Sequence, residues 1–359
     1  MGQRCRRGTG FKTMMLNVLS NRYAVGVPVT QSDVASRAGV SRALVSLVFR
    51  DATNVSDQSR ARVLLAAEEL GYRPNMLARS LASKKVRTIG VLLNDITNPF
   101  FVSMYVELSD AAQDAGYDVL VGPSLRSVAQ ERTLLGTLLG HRVAGLILIS
   151  PLMKASELNS IISGYPAVSI ARDMNLDGAD FVSNDELVGA RLGLRHLVDL
   201  GHERIVHISG GTSRSAVHRK RAFLRAMSEL GLAGSARVIE GDFTEEAGRS
   251  AAREIIRSRA SETAIFASND LVAAGAMGVL EASGVRVPED VSVLGYDNSV
   301  ISDLQMVSLT SIEQPIRDFG RASIRLLLER IDGQRDTRVS LEFEPRLIVR
   351  RTTARRATR

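Results

Sequence analysis

Cysteine is almost absent. Cys5 is the single one in 359 residues, which excludes an intramolecular disulfide and a structural zinc site as sources of stability. Tryptophan is missing and aromatic residues make up 4% of the chain, so a base-stacking platform for single-stranded nucleic acid is not expected. No run of about 18 apolar residues occurs, which excludes a transmembrane helix. The basic start, Met1 to Arg22, holds only short apolar pieces and lacks the h-region of a secretory signal. A cytoplasmic protein without membrane association is expected. Catalytic signatures are missing too: there is no Walker loop, no G-x-S-x-G elbow, and no G-x-G-x-x-G after a strand. His141, His196, His202, His207 and His218 are scattered without metal-ligand spacing. Ser209-Gly210-Gly211 reads as a turn after a strand, with room for close approach to a ligand. The expectation is no enzyme, no catalytic residues, no metal and no cofactor.

What is present is unevenly distributed. The formal charge is +7. Residues 1–87 carry 15 basic and 5 acidic side chains, residues 88–345 carry 25 and 34, and residues 346–359 add six Arg with no acid. A basic head on an acidic body is the layout of a small module that meets a polyanion, joined to a larger one with another task. Length predicts two or three domains, and 45% apolar composition is enough for packed cores.

Residues 1–27 show no sustained periodicity and read as a basic mobile extension, with Met14 and Met15 as alternative translation starts. From Thr30 the pattern becomes short helices with clear punctuation. Thr30 and Asp33 have the form of a capping box, and Val34, Ala35 and Ala38 make an apolar face that ends at Gly39. Ser41 caps a second helix through Val48. Ser56, followed by Asp57, caps a third whose Val63, Ala66, Ala67 and Leu70 share a face, closed by Gly71. After Pro74, residues 75–82 have helical propensity, but a lone helix this short is marginal in water and needs a partner. From Thr88 apolar runs alternate with helix-length segments. Buried strands are predicted at 88–93, 118–122, 144–149, 167–170, 204–208, 263–267, 291–296 and 308–312. Helices such as 186–200 and 216–230 between them predict βαβ repetition and doubly wound parallel sheets, two of them for this many strands.

The segment 30–48, TQSDVASRAGVSRALVSLV, reads as helix, short glycine turn and second helix, the helix-turn-helix arrangement. Gly39 permits the turn. Val34, Ala35, Val40 and Val45 pack the helices together, which leaves Arg42, Ala43, Ser46 and Arg50 for solvent or a partner. The plainer alternative is a helical hairpin with a charged face, and the basic excess of the module favours DNA.

At this point a resemblance becomes specific. The motifs run in order: V-T-x-x-D-V-A-x-x-A-G-V-S at 29–41, G-Y-R-P-N at 71–75, A-R-S-L-A at 78–82, T-I-G-V-L-L at 88–93 and N-P-F-F at 98–101. H-L-V-x-L-G-H follows at 196–202, R-x-x-A-F at 219–223, S-N-D at 268–270, V-P-E-D-V-S-V-L-G-Y-D-N at 287–298 and L-T-S-I at 309–312. From about Pro28 to Thr353 the chain resembles the LacI/GalR family of transcription regulators. The resemblance implies an all-α helix-turn-helix headpiece at 28–74, a hinge helix and linker at 75–87, and an α/β core at 88–353. That core has two doubly wound parallel-sheet lobes, periplasmic-binding-protein-like, and a basic tail at 354–359 follows it. It further implies a ligand-responsive repressor that binds a double-stranded DNA operator as a homodimer.

The resemblance places Arg42, Ala43 and Ser46 where a recognition helix meets base edges, with Arg50 on the same face. Thr30 and Ser41 fall at helix starts, where hydroxyls and backbone N–H groups meet phosphates. Many relatives carry Arg directly after Ser46. Leu47 stands there instead, either packing against the third helix or touching a thymine methyl. In the hinge, Asn75 opens the segment, Arg79 is left for phosphate and Leu81 is placed as a minor-groove wedge; the alternative is a flexible tether. In the core, ligands of open α/β sheets bind beyond the carboxyl ends of strands, which selects Asn94, Asp95, Asn269, Asp270 and Asp297. The family match adds Arg219 as an effector contact, Asp297 as an acceptor of ligand hydroxyl hydrogens and Asn269 as a third polar contact. The alternatives are that Asn269 and Asp270 cap the following helix and that Asp297 pairs structurally. A stacking face is expected from Phe100, Phe101 or Tyr296. A sugar is the first expectation for the effector, and a nucleoside or purine the second. A solute-binding protein with an accessory helical head is the alternative function. The tail R-R-T-T-A-R-R-A-T-R has no Leu heptads, so a dimer is expected rather than a tetramer.

Overall fold

Capping decides where the first helices begin. In the computed structural model, which describes residues 29–50, 52–72, 86–258 and 262–356, α1 (Gln31–Ala38) starts at a reciprocal capping box. The Asp33 amide donates to Thr30 Oγ1 at 3.4 Å, and the Thr30 amide donates to the Asp33 carboxylate at 2.7 Å. α2 (Arg42–Phe49) starts at Ser41, whose Oγ accepts from the Leu44 amide at 3.2 Å. α3 (Asp57–Glu69) starts at Ser56, which accepts from Ser59 N at 3.3 Å. α1 stops because Gly39 turns left-handed at φ 62°, a conformation that costs a residue without Cβ little. Arg62 from α3 donates to the carbonyls of Ala38 at 2.6 Å and Gly39 at 3.1 Å, which satisfies the end of α1. Val34, Ala35, Ala38, Val45, Val48, Val63, Ala66 and Ala67 form the core, and half-buried Leu47 packs against it. These helices lie in one unit, Met1–Lys85, and the rest of the chain forms a second, Val86–Arg359.

The second unit holds two six-stranded sheets. The first is built from β1 (Thr88–Leu93), β2 (Asp118–Pro123), β3 (Gly145–Ile149), β4 (Ala167–Ile170), β5 (Ala179–Asn184) and, late in sequence, β11 (Ser340–Phe343), in the order β11-β5-β4-β3-β1-β2. The second uses β6 (Ile205–Ile208), β7 (Ala236–Ile239), β8 (Ala264–Ala267), β9 (Ser292–Asp297), β10 (Thr310–Glu313) and β12 (Arg346–Ile348), in the order β12-β10-β9-β8-β6-β7. All eight strands expected from sequence occur. β5, β7, β11 and β12 were not expected. Three of them are sheet edges with few buried side chains, and β5 carries Asp180, Ser183 and Asn184, so none shows a run of apolar residues. Pairing is parallel except for β12, which runs antiparallel to β10. This corrects the all-parallel expectation at one edge.

Alternate residues on each strand face opposite layers. In the first lobe Ile89, Val91 and Leu93 pack under α4 (Pro99–Asp114) and α12 (Ile316–Ile331). Leu92, Leu146 and Leu148 face α5 (Val128–Gly140) and α6 (Ala155–Ile162). In the second lobe α9 (Glu245–Arg257) and α10 (Asp270–Ala282) cover one face, while α7 (Glu186–Asp199) and α8 (Arg214–Glu229) cover the other. α9 and α10 meet backbone to backbone: a Cβ on Gly248 would run into the Val272 carbonyl, and one on Gly275 into the carbonyl of Glu245. The chain passes between lobes three times, after β5, β10 and β11, which brings the carboxyl ends of both sheets to one cleft. The returning segment is pinned by Asp180 in β5. Its carboxylate accepts from Arg330 at 2.8 and 2.9 Å, from Arg335 at 2.7 and 3.0 Å and from Val339 N at 2.7 Å. Burial alone would push this carboxyl up, but the two guanidiniums outweigh it and hold it at about 2. Among the described residues no helix is long and apolar enough to cross a membrane.

Candidate functional site

Two surfaces carry the residues singled out from sequence. On the headpiece Thr30, Ser41, Arg42, Ala43 and Arg50 are exposed, and Ser46 is half-buried. The starts of α1 and α2 present backbone N–H groups, the local chemistry that binds anions. Thr30 and Ser41 also cap their own helices, so their hydroxyls are partly occupied. Among the described residues the guanidiniums of Arg42 and Arg50 make no hydrogen bond or ion pair. Leu47 is half-buried and packs against the headpiece core, in keeping with the packing reading. Asn75, Arg79 and Leu81 lie outside the described residues.

Between the two lobes of the second unit lies a cleft of about 1150 Å³. Asn94, Asp95, Phe101, Arg219 and Asp297 line it together. Arg219 is 5% exposed and forms its centre. Its Nε and Nη2 donate to the two carboxylate oxygens of Glu186 at 2.9 and 2.8 Å, and Nη1 donates to the Ser268 carbonyl at 2.5 Å. The guanidinium lies 3.5 Å above the centre of the Tyr296 ring. Burial works against this cation, but the Glu186 carboxylate outweighs it and raises the pKa. Three of the five N–H groups of the guanidinium are taken by the bonds to Glu186 and Ser268. Asp297 sits at the end of β9 with φ 103°, its Oδ1 3.8 Å from Arg219 Nη1 and accepting from Gln314 Nε2 at 2.6 Å. Burial pushes its carboxyl up while Arg219 pulls it down; the net direction is upward. The structural and ligand readings of Asp297 are therefore compatible: it is paired, and it lines the cleft.

Other expectations need correction. Asn269 is 1% exposed and does not line the cleft. Its Oδ1 accepts from Val272 N at 2.9 Å to cap α10, and its Nδ2 donates to the Phe243 carbonyl at 3.1 Å. Capping took this side chain because the strand-to-helix turn leaves helix amides that need an acceptor. Asp270 does not cap; it accepts from Ser299 N and Ser311 Oγ, both at 2.6 Å, and burial raises it to about 6. Tyr296 is not a stacking face, being fully buried beneath Arg219. Phe100 and Phe101 do line the cleft, edge to face at 5.4 Å. Asp95 lines it as well, though its Oδ1 is taken by the Thr97 amide at 2.9 Å and hydroxyl at 2.6 Å.

Sequence reasoning missed Glu186, Asn184, Gln314, Phe181 and Phe243, all of which line the cleft. Asn184 ends the unread β5 and Glu186 opens α7. A polar Asn-Asp-Glu run before a helix, read as the end of a strand, was the available signal. Asn184 Nδ2 donates to Tyr296 Oη at 2.5 Å, while its Oδ1 and that of Asn94 are buried without a partner. Buried acceptors left open in a polar cleft suit donation from ligand hydroxyls.

Comparison with known proteins agrees with this architecture. Residues 30–75 match the family described as bacterial regulatory proteins, lacI family, and residues 194–353 match a periplasmic binding protein-like domain. The ribose operon repressor of Halalkalibacterium halodurans is 34% identical over 325 residues, covering 90% of this chain and 97% of that protein. The crystal structure of the lac repressor dimer bound to operator and the anti-inducer ONPF is 32% identical. It covers 91% of this chain and 100% of its own, with a TM-score of 0.78. The CelR–cellobiose complex is 31% identical over 90% of this chain and 99% of its own, with a TM-score of 0.68. With its helix-turn-helix unit and its two-lobed α/β core, the chain is a regulator rather than an enzyme and belongs to the lacI family of bacterial regulatory proteins.

Proposed function

We propose that this chain is a dimeric, sequence-specific DNA-binding repressor controlled by a small polar effector bound between its core lobes. Two headpieces of a dimer read the half-sites of a near-palindromic operator with α2 in the major groove. Arg42, Ala43 and Ser46 face base edges, Arg50 adds to that face, and the helix starts at Thr30 and Ser41 meet phosphates. Asn75, Arg79 and Leu81 complete the DNA contacts as a paired hinge. The extension, headpiece, hinge, core and tail follow the boundaries 1–27, 28–74, 75–87, 88–353 and 354–359.

The observation that carries the reading is the joint presence, in one chain, of two guanidiniums on the helix-turn-helix face that are unpaired among the described residues and a polar interlobe cleft centred on Arg219. Asn94, Asp95, Phe101, Arg219 and Asp297 are the effector contacts. A carbohydrate is favoured, because open acceptors, a carboxyl and a guanidinium beside phenyl faces match a hydroxylated ring. The cellobiose complex of one relative and the ribose operon of another support that class. Control follows if the effector binds the two arrangements of the lobes with different affinity.

The test is a gel shift with duplex DNA selected from random sequence, repeated with sugars and nucleosides found by thermal shift. Saturable binding to a near-palindrome, altered by a ligand that Arg219→Ala no longer answers, is the expected result. Binding that is indifferent to sequence, or that no ligand of the core alters, would refute it.

A further inference from the structure

Among the cations of the cleft that the effector reading so far leaves without a task, two come from opposite lobes. Arg172, in the loop after β4, belongs to the first lobe, and Arg214, the first residue of α8, belongs to the second. Both line the cleft. Arg172 donates through Nη1 to the Pro151 carbonyl, but its Nε is buried with no partner, and it forms no ion pair among the described residues. The nearby carboxylate is Glu131, whose oxygens are already taken by the amides of Leu152 at 2.8 Å and Met153 at 3.1 Å. The Arg214 side chain has no partner at all among the described residues. Burial lowers the Arg172 pKa, the Glu131 carboxylate raises it and the charge of Arg214 lowers it; both guanidiniums belong to the lining of the same cleft.

A half-buried cation with an open N–H, in a cleft to which the other lobe brings a second, exposed cation, is a setting that favours a bound negative charge. The surroundings match an anion. Gly210, Gly211, Thr212, Ser213 and Ser215 line the cleft around the start of α8, where the amides and dipole of a sixteen-residue helix add positive potential. Of the acidic residues that line the cleft near this end, Asp173 is paired with Arg338 at 2.5 Å and Asp242 with Arg126 at 3.0 Å, while Asp185, Glu186 and Glu342 gather at the ends of β5 and β11. There Glu342 is pushed up by burial and by the charges of Asp185 and Glu186. Asn184, 5% exposed with an unpartnered Oδ1 in the same cleft, supplies an acceptor for a hydroxyl. We propose that the effector is an anionic monosaccharide whose carboxylate or phosphate is clamped between Arg172 of one lobe and Arg214 of the other. This inference rests on the cleft being the effector site. It adds that the anion, by neutralising two cations from opposite lobes, is what draws the lobes together.

The experiment uses the full chain and matched probes in calorimetry. D-glucose is set against D-glucuronate and D-glucose 6-phosphate, D-galactose against D-galacturonate and D-galactose 6-phosphate, and D-ribose against D-ribose 5-phosphate. The expected result is that at least one anionic sugar binds about tenfold or more tightly than its neutral parent, the two arms separating carboxylate from phosphate. Arg172→Met and Arg214→Met should each erase most of that preference, and Arg172→Lys should retain part of it. A neutral sugar that binds as tightly as its anionic forms overturns the inference. So does a preference that survives both Met variants, or failure of every anionic sugar to bind below the millimolar range. In each of these cases a neutral sugar or nucleoside that still alters operator binding leaves the regulator reading standing without the anion.

Discussion

Replacing Arg219 with Met tests the electrostatics of the cleft floor. Methionine fills much of the same volume but removes the charge. Glu186, with a side chain 17% exposed, then loses two hydrogen bonds of 2.8 and 2.9 Å. Asp297, with a side chain 6% exposed, loses a cation at 3.8 Å, and the Ser268 carbonyl loses the Arg219 donor. Breaking one side of a buried pair costs on the order of 3–5 kcal/mol, mostly because the surviving charge is stranded. That is a large fraction of the roughly 5–15 kcal/mol that holds a domain together. If stranding is the cause, Glu186→Gln in the Arg219→Met background should return about 2 kcal/mol, since the orphaned carboxylate is gone. Urea unfolding of the four proteins followed by circular dichroism measures this. A loss below about 1 kcal/mol in Arg219→Met, or additive effects in the double variant, would refute the argument.

Further outcomes are expected. Asp180 is held at about 2 in the folded chain against about 3.8 unfolded, so its contribution, on the order of 2 kcal/mol, is present above pH 4. It is lost as pH falls towards 2, and Asp180→Asn should flatten that part of a stability-against-pH profile. Gly275→Ala should destabilise by about 2 kcal/mol or more, because the added methyl meets the backbone of α9; an unchanged urea midpoint would contradict the packing. Arg42→Ala should change which operator sequences are preferred in a selection experiment, whereas Arg79→Ala should weaken all sequences and lower the salt slope by about one unit. Leu81→Ala should weaken operator binding more than random DNA binding, and equal losses would reduce residues 75–82 to a tether. Sedimentation should show a dimer without a stable tetramer.

Local signals carried far in this chain. Thr30, Ser41 and Ser56 set the helix starts, because a capping hydroxyl needs only an amide two or three residues away. Gly39 set the turn, and apolar runs marked the buried strands other than β5, where Asp180, Ser183 and Asn184 interrupt the run. The family motifs singled out Arg219 and Asp297. Tertiary structure alone decided the rest. Edge strands β7, β11 and β12 bury at most one side chain each and so leave no buried apolar run to read. The chain's three passages between lobes depend on which sheet a strand joins, which no short window encodes. Glu186 reaches Arg219 across 33 residues and Asn184 reaches Tyr296 across 112, so neither pairing leaves a periodicity. Asn269 had two possible tasks at a strand end, and only the approach of the Phe243 carbonyl and the Val272 amide chose between them. Short-range order follows from side-chain spacing and caps, whereas the cleft is made of long-range contacts that exist only once both sheets have packed.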